Sequence, residues 1–418
     1  MDVESFTQAA EVRDLIQKLK EDCKDKEFSD VIDDDGNQYV DLVMEGGGIL
    51  GIALVGYTYV LEEMGLRFLR IGGTSAGSIN ALLLAALGTP GEPKSEKVVK
   101  QLANLDVYSF VDGGPGVRDV IEGFIQKAGK WKMLWKVFKA RNELKEAYRN
   151  LGLNPGEVFR KWLSDALQKE GVDSARKLGE RMRALPQSLR RRHDPEPVFE
   201  RDDFRLALVA ADISTETKVV FPKMAPLYWK DTDGVNPALF VRASMSVPFF
   251  FRPLHVEDIP QGEAAQKNWE KLAGYEEDLP TECMFVDGGI MSNFPIDLFH
   301  RPIRVPAAPT FGVKLGTDQR KHQKIENAAK LVFPIFDSAR HTLDYDFITR
   351  NPDYNNLVEH IDTGYHNWIN FDVPEEDKID LFVRGAKAAD EFLRRFDWED
   401  YKEIRRRIAR QFEDHPTT

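Results

Sequence analysis

The feature that most constrains the fold is an alternation of strand-like and helix-like segments between residues 39 and 88. Residues 39–44 and 68–71 are short, mostly apolar runs followed by glycines, so both are predicted to be strands. Residues 49–63 and 78–87 have the length and composition of helices. Strands that alternate with helices through short links are typical of a parallel sheet covered by helices. The sequence therefore predicts an α/β domain.

Strand-like runs return after a long helical stretch. Residues 91–200 are charged, helical in period and poor in strand signals, which predicts a helical insertion. Further strands are predicted at residues 204–211, 218–221, 283–286 and 311–315. We therefore predict a central domain over residues 40–315, with the insertion at about residues 91–200.

Both ends of the chain have helical patterns. Apolar residues recur at roughly helical spacing near the N-terminus, and the acidic turn at residues 33–37 ends that region. Residues 379–396 and 401–412 are predicted to be helices. We predict an N-terminal helical segment at residues 1–39 and a C-terminal helical extension, residues 316–418, packed on the central domain.

The composition excludes several classes of protein. The 418 residues are 42% hydrophobic, enough for a buried core, and the net charge of -12 argues against a general nucleic-acid binder. Cys23 and Cys283 form no disulfide framework or zinc motif, which indicates a reducing compartment. The N-terminus lacks a secretory pattern, and the most apolar stretch, residues 79–87, is too short to cross a bilayer. We expect a soluble, cytoplasmic protein, and we expect any membrane contact to be peripheral.

The sequence Gly73-Thr74-Ser75-Ala76-Gly77 matches the G-x-S-x-G pattern at a predicted strand-to-helix turn. Such a turn holds a serine in a strained position with its hydroxyl exposed, and small neighbours avoid steric clash. The helix N-terminus behind it favours developing negative charge. Ser75 is therefore the candidate nucleophile, and a serine that merely caps the helix is the alternative.

A glycine-rich loop, with Gly46, Gly47, Gly48 and Gly51, links the first predicted strand to the first predicted helix. Glycine amides directed into one cavity bind either a phosphate or the oxyanion of an acyl-transfer intermediate. The loop also fits the dinucleotide fingerprint of an oxidoreductase, which requires an acidic residue near the end of the second strand. That strand ends in glycines and Ser75, so an oxyanion loop is favoured, with a glycine turn needed only for packing as a minor alternative.

A serine nucleophile needs a proton acceptor. No histidine lies in a motif that resembles a catalytic one; the chain has His193, His255, His300, His322, His341, His360, His366 and His415. Two Asp-Gly-Gly sequences begin at Asp112 and Asp287. Asp112 lies at the edge of the insertion and is predicted to be a turn residue. Asp287 follows a predicted strand and is well placed to reach a serine at a neighbouring strand end, so it is the predicted base, with a capping or turn role as its alternative.

These motifs resemble those of the patatin family of lipid acyl hydrolases. The glycine loop, the Ser75 turn and the Asp287 motif follow one another in the family's order. Residues 241–248 resemble the family's R-A-S-x-A-x-P segment, with Ser246 in place of its second alanine. Residues 293–295 resemble its N-x-P continuation. The resemblance covers roughly residues 40–315 outside the insertion.

The resemblance implies a patatin-like three-layer fold with a central, mostly parallel sheet, plus the helical insertion and C-terminal helices. It implies a dyad of Ser75 and Asp287 that works without histidine. The serine would attack a lipid ester to form an acyl-enzyme, which water then hydrolyses. An aspartate with an unperturbed pKa of about 3.9 is a weak base, so the oxyanion loop must provide much of the rate.

The resemblance also implies an oxyanion hole built from Gly46, Gly47, Gly48 and Gly51, in which the amides of Gly47 and Gly48 are the donors. The chain departs from the family at Leu50, where the loop usually carries arginine or lysine. No metal and no cofactor are implied.

The expected substrates are phospholipids. The same dyad would also serve a hydrolase of acylglycerols, lysophospholipids or thioesters, and a weakly active lipid-binding or regulatory protein of the same fold is a further alternative. The sequence gives no activating partner.

A basic aromatic segment within the insertion is a candidate membrane contact. Trp131, Leu134, Trp135 and Phe138 share one helical face, and lysines surround that face. An ordinary amphipathic helix packed on the core has the same pattern, so both interpretations stay open.

Overall fold

The computed structural model describes residues 2–103, 105–119, 149–193, 205–299, 304–316, 353–366 and 373–414, together with residues 139, 145, 146 and 351. The strands in this part of the chain are β1 Val31–Ile32, β2 Gln38–Met44, β3 Leu66–Thr74, β4 Gly152–Asn154, β5 Arg190–Arg191, β6 Leu206–Asp212, β7 Thr217–Phe221, β8 Phe249–Phe251, β9 Leu254–Glu257, β10 Glu282–Asp287, β11 Thr310–Leu315 and β12 Val358–Ile361.

The helices in the same residues flank these strands. Those with both ends described are α1 Glu4–Thr7, α2 Ala10–Asp22, α3 Gly51–Glu63, α4 Ala76–Ala86, α5 Ser95–Ala103, α6 Glu157–Lys169, α7 Ala175–Arg183, α8 Ala238–Ser244, α9 Glu263–Ala273, α10 Tyr354–Leu357, α11 Glu375–Arg395 and α12 Trp398–Asp414.

One large mixed sheet forms the centre of the protein. Its main path runs in the order β12-β11-β2-β3-β6-β10-β9. The strands from β12 to β6 are mutually parallel, whereas β10 runs antiparallel to both β6 and β9. Strands β1, β5 and β7 add antiparallel pairs, and β4 pairs with β8 outside this sheet. The predicted mostly parallel sheet is confirmed.

Both faces of the sheet are covered, as the apolar central strands require. Every residue of β6 is buried, which is typical of a parallel strand between two layers. On β11, the ring of Phe311 packs against Phe392 of α11 and against Phe396, which follows that helix. The next residue, Gly312, points to the opposite face and lies against Phe294. The predicted three-layer α/β fold is therefore confirmed.

Helices α3 and α11 touch at the level of their backbones. A methyl group at Gly56 of α3 would overlap the carbonyl of Phe382, and one at Gly385 of α11 would overlap the carbonyl of Ala53. Glycine at both positions lets the two axes approach closely. The helix that follows the glycine loop is thus held directly by a helix near the C-terminus.

Several elements of the structure are not predicted from the sequence, among them β1 within the predicted N-terminal helical segment, residues 1–39. Residues 316–418 were predicted to be helical, but β12 lies there and pairs with β11. The residues 91–200 include the short strands β4 and β5. These strands have two to four residues, too few to show a period of two. The polar stretch between residues 261 and 278 contains α9, whose Trp269 is completely buried.

No helix in the described residues is long and apolar enough to cross a membrane. The predicted aromatic stripe of Trp131, Leu134, Trp135 and Phe138 lies outside the described residues.

Candidate active site

Ser75 lies at the turn between β3 and α4, as predicted. Its φ of 51° and ψ of -117° are unfavourable for a residue with a side chain, and such conformations persist where the surroundings enforce them. Its hydroxyl makes no capping hydrogen bond to α4, so the alternative of a capping serine is wrong. The geometry is that of a nucleophile elbow.

The two glycines of the elbow allow close packing. A methyl group at Gly73 would overlap the backbone of Gly77, and one at Gly77 would overlap the carbonyl of Met44. The turn therefore closes tightly on itself and against the end of β2, where the glycine loop begins.

The glycine loop lies beside the nucleophile. A methyl group at Gly46 would come within 3.1 Å of the Cβ atom of Ser75. After Gly47 the chain forms a 3-10 turn, Gly48–Leu50, that leads directly into α3. The loop and the elbow are therefore spatial neighbours.

The amides of the loop are not equivalent. The amide of Gly46 donates to the carbonyl of Asn293 at 3.2 Å, and the amide of Gly51 donates to the carbonyl of Gly48 within the turn. Both amides already have acceptors, so Gly46 and Gly51 contribute to the shape of the loop, and the donor role of Gly47 and Gly48 stays a prediction. Within the described part of the chain, no hydrogen bond uses the amides of Gly47 and Gly48.

Asp287 ends β10 and is buried, with 3% of its surface exposed. Its Oδ1 atom accepts the amide of Gly289 at 2.8 Å. Asp287 pairs with Ala210 on one side of β6, and Thr74 pairs with Val209 on the other side. Ser75 and Asp287 therefore reach the same level of the sheet from either side of β6.

The segment after Asp287 is bound to the other two motifs. The hydroxyl of Thr74 donates to the carbonyl of Ser292 at 2.8 Å. The side-chain amide of Asn293 donates to the carboxylate of Glu45 at 3.0 Å and to the carbonyl of Gly46 at 3.3 Å. These bonds join the nucleophile strand, the glycine loop and the Asp287 segment into one unit.

The competing Asp-Gly-Gly sequence has a different role. The carboxylate of Asp112 accepts the amides of Gly156 and Val158, at 2.9 and 3.2 Å. It thereby binds the first turn of α6, whose early amides have no partners within the helix. This contact with a helix 44 residues further along the chain goes beyond the turn role that the sequence predicts for Asp112.

An apolar cavity lies beside Ser75. Among the described residues that line it, only Ser75 and Asn80 carry polar side chains. The rings of Phe110, Phe159 and Trp162 form part of the wall, with centroids 5.1 to 5.8 Å apart. A concave apolar space beside a nucleophile suits a hydrocarbon chain. The sequence does not reveal a role for these rings, because Phe159 and Trp162 are spaced like ordinary core positions of an amphipathic helix.

No histidine among the described residues lines the cavity. His255 instead lies 2.9 Å from Glu282, and His366 lies 2.7 Å from Asp380. In the described part of the chain, two groups are close enough to share a cation, one formed by residues 27, 30 and 193 and one by residues 255, 257 and 282. Neither group lines the cavity.

The family match identifies the protein class. Residues 42–300, more than half of the chain, match the patatin-like phospholipase family. The chain therefore belongs to that family, and its class is that of lipid hydrolases. The predicted family resemblance is confirmed.

A curated relative and two solved structures resemble the chain. It is 29% identical over 365 residues to "Uncharacterized protein YqhO" of Bacillus subtilis (strain 168), covering 86% of this chain and 99% of the relative. It matches the crystal structure of VipD from Legionella pneumophila at 15% identity and a TM-score of 0.39, covering 88% of this chain and 70% of VipD. It also matches the heterodimeric ExoU-SpcU complex of the Pseudomonas aeruginosa type III secretion system at 15% identity and a TM-score of 0.34, covering 88% of this chain and 52% of that one. Because both TM-scores are low, the assignment rests on the family match.

Proposed function

We propose that the protein hydrolyses fatty-acyl ester bonds of phospholipids, with Ser75 as nucleophile and Asp287 as base. The observation that carries this proposal is the position of Ser75, at a strained turn and in the wall of an apolar cavity. The acyl chain would occupy the cavity, which places its ester carbonyl at the serine hydroxyl.

The reaction proceeds in two acyl transfers. The Asp287 carboxylate takes the proton of the Ser75 hydroxyl as the oxygen attacks the ester carbonyl. The amides of Gly47 and Gly48 donate to the oxyanion, and one such donor typically contributes about 10²–10³ in turnover. The alcohol leaves with the proton, and the acyl group stays on Ser75. Asp287 then takes a proton from water as the water oxygen attacks the acyl-enzyme, the bond from the acyl carbon to Ser75 breaks, and Ser75 regains the proton as the fatty acid leaves.

A fluorophosphonate probe tests the nucleophile. An activated serine reacts with the probe, so the wild-type protein should gain one label on the peptide that contains Ser75. Ser75→Ala should gain none, while Ser95→Ala, which alters a buried serine of α5 whose hydroxyl donates to Thr58, should be labelled like the wild type. A folded wild-type protein that is not labelled would favour the lipid-binding alternative.

Mixed phospholipid vesicles, with product identification, test the substrate. Release of a fatty acid and a lysophospholipid supports the proposal. Preferential hydrolysis of lysophospholipids, acylglycerols or thioesters would agree with the same dyad and assign it a different substrate. Peripheral membrane contact through residues 130–141 stays a prediction from the sequence, and vesicle sedimentation of a protein with Trp131→Ala and Trp135→Ala tests it.

A further inference from the structure

The turn that follows α8 contacts both proposed catalytic residues. Ser244 ends the helix, and its hydroxyl oxygen accepts the amide of Ser75 at 2.9 Å. The same hydroxyl donates to the carbonyl of Val209 at 2.5 Å. Ser244 is completely buried. Because the proton of this hydroxyl is donated to Val209, its oxygen acts as an acceptor for the amide of Ser75.

This hydrogen bond acts on a strained backbone. A residue at a positive φ of this kind carries about 1–3 kcal/mol of strain, which the surrounding structure must hold in place. Ser75 directly precedes α4, so its amide has no acceptor inside that helix. Ser244 supplies the acceptor and ties the elbow to β6, the strand that separates Ser75 from Asp287.

The other end of the turn holds the base. The amide of Asp287 donates to the carbonyl of Ser246 at 2.8 Å. The buried Arg242 donates to the hydroxyl of Ser246 and, at 2.7 Å each, to the carbonyls of Pro155 and Arg252. Burial lowers the pKa of Arg242 to about 10, so it remains a cation at neutral pH. The Ser246 carbonyl is thereby held in place.

We propose that the turn Ser244-Met245-Ser246 sets the separation of nucleophile and base, and that Ser244 is a positioning residue for Ser75. This inference rests on the proposed function. Two contact points on one three-residue turn fix the backbones of Ser75 and Asp287 relative to each other. Proton transfer between their side chains requires such control, because a displacement of about 1 Å at a reacting group can lower the rate about 100-fold.

Ser244→Ala tests the role, with Ser95→Ala as a matched control. Ser95 is equally buried, and its hydroxyl donates to Thr58 at 3.0 Å, away from both catalytic residues. Exhaustive fluorophosphonate labelling gives the active fraction, and kcat and KM are then measured on a short soluble ester below both melting temperatures. Ser244→Ala should lower kcat per active site about 10- to 100-fold and change KM less than about twofold. Ser95→Ala should lower the melting temperature and leave kcat unchanged.

Ser244→Thr keeps a hydroxyl and should restore kcat to within about threefold of wild type, even if its extra methyl group lowers the melting temperature. Where Ser244→Ala does not fold, Ser244→Cys fills the space with a weaker acceptor and should show the same loss of kcat. Wild-type kcat in Ser244→Ala or Ser244→Cys, or a folded Ser244→Thr that is as slow as Ser244→Ala, overturns the inference. An active Ser75→Ala would overturn the proposed function. An inactive Ser75→Ala together with an unslowed Ser244→Ala would overturn only the role of Ser244.

Discussion

The carboxylate of Asp112 accepts the amide of Gly156 at 2.9 Å, and so the first Asp-Gly-Gly sequence of the chain holds the start of a helix. The second, at Asp287, ends a strand of the central sheet, and its backbone amide is bound by Ser246. The same tripeptide thus has two different roles, and the difference comes from the elements that surround it.

Replacing Asp112 by asparagine should leave hydrolysis near normal. Asparagine keeps one acceptor oxygen, but the other becomes a donor that faces the amide of Val158, so the free energy of unfolding should fall by about 1 kcal/mol. Urea unfolding and ester hydrolysis measured on the same preparation check both statements. An inactive Asp112→Asn beside an active Asp287→Asn would reverse the assignment of the base.

Ser75→Ala and Asp287→Asn should each lower kcat by about 10³-fold or more, because each removes half of one reacting unit. The double variant should lose little more than either single variant. Circular dichroism melts provide the control that each protein is folded. If the loss of kcat in the double variant equalled the product of the two single losses, the two residues would not act as one unit.

The sequence predicted the elements that carry strong local signals. The two β-strands and two helices between residues 39 and 88 have apolar runs and glycine boundaries, and the elbow with Ser75 lies where it was expected. What the sequence could not predict depends on long-range contacts. The pairing of β12 with β11 and the bond from Ser75 to Ser244 join residues far apart in the chain. The R-A-S-x-A-x-P resemblance marked Ser244 but not the contact it makes.

Filling the cavity should change the preferred chain length. Ile79 lies one helical turn after Ser75 and lines the cavity. Ile79→Trp should lower kcat/KM for long-chain esters by about tenfold or more and leave acetate esters within about twofold. Val158→Trp places the same bulk on an exposed position of α6 and should change neither value. Equal loss on both substrates would show that the acyl chain does not occupy this cavity.

Gly385→Ala should destabilise the protein by about 1–3 kcal/mol, because the new methyl group overlaps the backbone of α3. Gly179→Ala on α7 is the matched control, since its new methyl group meets only the flexible Arg183 side chain. That change should stabilise the helix by about 0.5–1 kcal/mol. Chemical unfolding of both variants measures the difference, and equal effects would contradict the close approach of α3 and α11.

Lys94 should make stability rise with pH in the alkaline range. Burial lowers the pKa of Lys94 from 10.5 to about 8, although the negative charge of Glu62 acts in the opposite direction and raises it. Between these two values the unfolded chain binds more protons at this group than the folded chain, so the free energy of unfolding increases with pH. Relative to Lys94→Met, the wild type should gain about 1–3 kcal/mol between about pH 7 and about pH 10. A constant difference between the two proteins would contradict the lowered pKa.

The family match ends at residue 300. Glu45, the residue before the glycine loop, nevertheless forms hydrogen bonds with residues that lie after that boundary. The carboxylate of Glu45 accepts the amide of Leu315 at 2.6 Å, and the amide of Glu45 donates to Val313 at 3.1 Å. Both partners belong to β11. A protein fragment limited to residues 42–300 would therefore lack β11, the strand that binds the residue before the glycine loop. Chimaeras between relatives should exchange β11 together with the matched segment.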